Sequence, residues 1–79
     1  MATLTTEDKR ILEIGGSITF IDKYTKVILK PSPRKSGYLA STYFRDGGYI
    51  GCKHIACNEL ENFIKYQLDD YKSLSEIYI

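Results

Sequence analysis

Residues 23–54, KYTKVILKPSPRKSGYLASTYFRDGGYIGCKH, decide how the chain is read. Val27 and Leu29 alternate with Lys26, Ile28 and Lys30, a period of two that gives a strand one apolar and one basic face. Pro31-Ser32-Pro33-Arg34-Lys35-Ser36-Gly37 interrupts it with a basic loop, because two prolines remove ladder donors and Gly37 admits positive φ. Residues 38–45, YLASTYFR, resume as a strand, and Asp46-Gly47-Gly48 is a hairpin turn into another over residues 49–56, YIGCKHIA. On this last strand Tyr49, Gly51, Lys53 and Ile55 alternate with Ile50, Cys52, His54 and Ala56. The second set reads as core, which places Tyr49 and Lys53 together on the outer face.

Working outward, residues 17–21, SITFI, form a core strand with Ile18 and Phe20 on one side. The tetrad Asp22-Lys23-Tyr24-Thr25 joins it to the next strand as a hairpin. Further upstream, the Thr5 and Thr6 hydroxyls and the acids Glu7 and Asp8 predict a turn of helix. That turn feeds a strand over residues 10–14, which ends at Gly15-Gly16. Downstream, residues 58–74 read as a long amphipathic helix. Asn58 is its N-cap, Glu61 completes a capping box, and Leu60, Phe63, Ile64, Leu68 and Tyr71 form the apolar stripe. The tail over residues 75–79 is apolar and either packs at an oligomer interface or frays.

The expected fold is therefore α+β, one domain over residues 1–79. A four-stranded antiparallel curved sheet covers about residues 11–56, and the one long helix packs on it. Seventy-nine residues support a single thin core, and without a disulfide framework such a chain gains stability by dimerising. Hydrophobic residues at 43% with 27% charged mark an ordinary globular chain. No apolar run suits a membrane span or a signal peptide, so the expectation is a soluble intracellular protein, nuclear or cytoplasmic, with no membrane partner.

Cys52 and Cys57 are five apart, roughly 16–17 Å in an extended strand, too far for a disulfide without a bend. Two cysteines and the lone His54 complete no metal site, and no cofactor motif is present. There is no phosphate-binding glycine loop, Cys52 and His54 read as packing residues, and Asp69-Asp70 and Glu59/Glu61 lie on a solvated helix. Neither catalytic nor metal-ligating residues are assigned, and the chain is read as a non-enzyme.

The positive signal is charge segregation. Residues 23–54 hold seven cations against Asp46 alone, while the whole chain is only +1. Lys26, Lys30, Arg34, Lys35, Arg45 and Lys53 are placed to meet phosphates, and Tyr43 and Tyr49 to stack on bases. The partner expected is single-stranded nucleic acid, DNA more than RNA, bound with little sequence preference in transcription, replication or repair. The competing reading is a small interaction module, or a viral or regulatory inhibitor, that docks its basic face on an acidic protein or adds an edge strand to another sheet.

Leu12-Glu13-Ile14-Gly15 at an opening strand, and Gly51-Cys52-Lys53-His54-Ile55-Ala56 running into Asn58-Glu59-Leu60-Glu61-Asn62-Phe63, also carry a likeness. In these the chain resembles the positive cofactor four family of transcriptional coactivators and its single-stranded-DNA-binding relatives. That family's third strand usually carries a tryptophan, and the nearest aromatics here are Tyr43 and Phe44. The resemblance implies a curved antiparallel sheet, a homodimer built through the helices, single-stranded DNA laid across the basic sheet with Lys53 in contact, and a protein partner in a transcription or replication complex.

Overall fold

The computed structural model describes residues 4–33, 36–68 and 71–73. Helix α1 (Thr6–Glu13) begins with a reciprocal cap, the Asp8 amide donating to Thr5 Oγ1 and the Thr5 amide to Asp8 Oδ2, both at 3.1 Å. It ends as Gly15 takes φ +86°, with the Gly15 amide donating to the Leu12 carbonyl and the Gly16 amide to that of Ile11. This is the Schellman closure that paired glycines favour. Residues 10–14 are thus helix and turn rather than a strand. With both ends capped, two turns of helix win over a five-residue alternation, and the sheet starts at Ile18 rather than near residue 11.

Strands β1 (Ile18–Ile21), β2 (Thr25–Pro31), β3 (Tyr38–Phe44) and β4 (Tyr49–Ile55) form an antiparallel meander. A two-residue strand β5 (Lys72–Ser73) adds to the far side of β1, giving the order β4-β3-β2-β1-β5. The first hairpin is tied at Asp22. Its Oδ1 accepts from the Tyr24 amide at 2.9 Å, the Thr25 amide at 2.8 Å and the Thr25 hydroxyl at 3.0 Å.

Both helices lie on one side of the sheet. The core gathers Leu12 of α1, Ile18, Phe20, Val27, Leu29, Ala40 and Ile55 of the strands, and Leu60, Ile64 and Leu68 from the second helix. Phe20 and Leu29 are wholly buried, each contributing roughly 1.5–3 kcal/mol. An exposed ion pair, Lys9 Nζ to Glu61 at 3.7 Å, links the two helices, a contact that contributes little in solvent.

The expected long helix is short. A 3₁₀ turn, Cys57–Glu59, precedes α2 (Leu60–Gln67), and Asn58 lies inside that turn instead of capping. No side chain caps either segment, so the Asn58/Glu61 box is absent. Beyond Leu68 the Tyr71 amide bonds back to the Leu68 carbonyl, Tyr71 and Thr25 share a hydroxyl–hydroxyl hydrogen bond, and the chain pairs with β1. Covering an open edge satisfies backbone groups that further helix would leave exposed. Tyr71 thus reaches the core from a turn, at a spacing that also suits a helix. Among the described residues, no helix is long and apolar enough to cross a membrane. The tail over residues 75–79, and Leu74 before it, lie outside them.

Candidate nucleic-acid interface

On β2, Val27 and Leu29 are buried, so Lys26, Ile28 and Lys30 point to the side away from the helices. Cross-strand partners share a face. The register therefore carries the outer face from Lys26 to Tyr43, Ile28 to Ser41 and Lys30 to Leu39, then from Ser41 to Cys52 and Leu39 to His54. Thr19 and Ile21 extend it onto β1. No described element covers this surface. Ile21, Ile28 and Leu39 are half-buried at its centre, with Lys30, Cys52 and His54 exposed around them.

Four of the residues named from sequence come together here. The Lys26 ammonium stands 5.7 Å from the centre of the Tyr43 ring, and the Tyr43 and Tyr49 rings meet edge to face at 5.5 Å. Tyr49 is 62% exposed, so a ring face is open to a stacking partner. Lys30 lies further along β2 on the same side. Arg45 sits in the β3–β4 turn, its guanidinium donating to the Asp22 carbonyl at 2.7 Å while its amide donates to that of Tyr24. Three Asp22 hydrogen bonds, led by the Thr25 amide, hold that carboxyl below the usual aspartate range, and the nearby Arg45 charge adds to the effect. Arg34 and Lys35 lie outside the described residues.

Lys53 does not belong to this face. It pairs with buried Ala40, and its ammonium stands 5.9 Å from the centre of the Phe63 ring on α2. The expected sidedness of β4 is reversed: Ile55 is the core residue, 2% exposed, while Cys52 and His54 face solvent. Strict alternation from Ile55 would put Tyr49 beside Lys53. A bulge between β3 and β4 intervenes, Thr42 facing Gly51 and Tyr43 facing Tyr49, so that Tyr49 crosses to the outer side.

Sequence reasoning also passed over His54 and Tyr24. His54 shares the outer face, its Nε2 donating to the Ser36 carbonyl at 3.0 Å and so tying the proline-rich loop to β4. Tyr24 is 73% exposed in the hairpin joined to Arg45. The strand register would have revealed the first, and the shortness of the hairpin the second. Cys52 and Cys57 are free thiols, and Cys52 Sγ accepts from the Ser41 hydroxyl at 3.6 Å. Among the described residues no three metal-binding side chains cluster. The chain matches no protein-family model, no curated protein and no solved structure.

Proposed function

We propose that the open face of the sheet binds single-stranded nucleic acid, DNA in preference to RNA, with little sequence preference, serving transcription, replication or repair. The observation that carries this reading is the meeting of Lys26, Lys30, Tyr43 and Tyr49 on one uncovered face. Two ammonium groups track phosphates while an accessible ring takes a base, an arrangement tolerant of sequence because every base has a π-face. The passage of residues 51–56 into a helical segment, as in the positive cofactor four family, supports the same reading. Residues 12–15, which carry the rest of that likeness, lie in α1 and its closing turn. A homodimer belongs to this proposal, since so small a core favours association.

The test is fluorescence anisotropy with a labelled oligothymidine at low and moderate salt. Micromolar binding is expected, and Tyr49→Ala weakens it about 5- to 150-fold, the equivalent of roughly 1–3 kcal/mol for one stacked base. No binding at tens of micromolar protein in low salt rejects the proposal.

One observation favours the alternative of an acidic protein partner. Tyr49 and the 47%-exposed Ile50 lie on β4, whose second edge is unpaired among the described residues, as strand addition requires. Capture of an acidic protein that Tyr49→Ala weakens, with indifference to oligonucleotide in the parent, selects that reading.

A further inference from the structure

The residue displaced from the outer face marks a second feature. Between α2 and the helix-side surface of β3 and β4 lie two adjoining hollows of about 190 and 290 Å³, both walled by Lys53, Phe63 and Gln67. The smaller one is floored by Val27, Ala40 and Leu68, all buried, and Thr42 adds a hydroxyl to its wall. Among the described residues Lys53 is the one charged residue lining it; Glu59 borders only the larger hollow. The ion pair found among the described residues joins Lys9 to Glu61, leaving Lys53 with the Phe63 ring as its neighbour.

We propose that this cleft is a binding site for a small carboxylic acid with an apolar body, a ring or short alkyl chain. The charge selects the ligand: among the described residues a single ammonium stands beside an apolar floor with no acid lining the inner hollow, which complements one negative charge. A phosphate dianion would leave its second negative charge without a cation beside this single ammonium. The volume fits as well, since 190 Å³ is room for about six waters and so for one ring. The carboxylate meets Lys53, with Thr42 and Gln67 as neutral partners, and the apolar body lies on Phe63 and Leu68. This site is independent of the nucleic-acid reading, because it lies on the other side of the sheet.

The test is a titration followed by ¹H–¹⁵N correlation spectra, with phenylacetate as probe and phenylacetamide as its neutral counterpart. Saturable shifts at Thr42, Lys53, Phe63 and Gln67 are expected, with a dissociation constant on the order of a millimolar. The amide binds about tenfold more weakly, because it forfeits the charge-assisted bond. Lys53→Gln removes the preference for the acid while its spectrum stays folded, and Lys53→Arg retains it. Equal affinity for acid and amide, absence of saturable shifts at 10 mM, or shifts centred on Lys26 and Lys30 would each overturn the proposal.

Discussion

The two sides of the sheet make one prediction sharp. Lys30→Gln and Lys53→Gln each remove one positive charge from an exposed side chain, yet only Lys30 shares a face with Lys26, Tyr43 and Tyr49. For a single strand, log K falls against log salt with a slope of about −0.7 per neutralised phosphate. If Lys26, Lys30 and Arg45 each meet one phosphate, the slope is about −2, and raising salt from about 50 to about 200 mM weakens binding roughly 20-fold. Removing Lys30 brings the slope to about −1.4 and the loss to roughly 7-fold. Lys53→Gln leaves the slope where it was. Any contribution from Arg34 and Lys35 is common to parent and variants, so it drops out of the comparison. The assay is anisotropy with oligothymidine across that salt range. A Lys53→Gln slope reduced as much as that of Lys30→Gln would refute the assignment of binding to the outer face alone.

Three further outcomes follow from the fold. Gly37 and Gly47 have similar torsions, φ +113° and +109°, but a Cβ on Gly37 would lie 2.4 Å from the Ile55 carbonyl oxygen, whereas none of its neighbours crowds Gly47. Gly47→Ala should therefore cost about 1–2 kcal/mol and Gly37→Ala about 2 kcal/mol more, read as urea midpoints at unchanged m; equal costs would dismiss the clash. Because the folded Asp22 carboxyl titrates below its unfolded value, its contribution is present above pH about 4 and is lost as pH falls through the folded pKa. Asp22→Asn should flatten the fall in stability between pH 6 and pH 3, and an unchanged fall in urea melts would locate the acid sensitivity elsewhere. Thr5→Ala breaks the reciprocal cap of α1 and should cost about 1 kcal/mol in thermal unfolding; no change would mean the cap is dispensable.

The strands were legible where periodicity met a clear break. Val27 and Leu29 against Lys26 and Lys30, the prolines at 31 and 33, and Asp46-Gly47-Gly48 place β2, its loop and the second hairpin close to where they stand. The helices were harder for two different reasons. In α1 the decisive marks sit at the ends, Thr5 with Asp8 and Gly15 with Gly16, while the interior Arg10 to Ile14 alternates as a strand would. In α2 the apolar spacing continues to Tyr71, but helix propagation competes with a distant edge on β1, and no local pattern reports that competition.

The candidate site was misjudged at one strand, and the reason is quantitative. A strand of period two has only two phases, so one error exchanges every side chain between faces. Reading Cys52, His54 and Ala56 as core chose the phase by hydrophobic type, although Ile55, adjacent to the chain's passage into the helical segment, is the larger apolar side chain and the one the core can bury. Correcting the phase alone would have moved Lys53, Gly51 and Tyr49 to the helix side together. The bulge at the turn end of β4 restores Tyr49, and only Tyr49, to the face of Tyr43 and Lys26. One inserted residue therefore separates an aromatic from a lysine four positions away. It puts Tyr49 on the face proposed for nucleic acid and Lys53 in the cleft proposed for a carboxylate, which is why single substitutions at these two positions should affect different ligands.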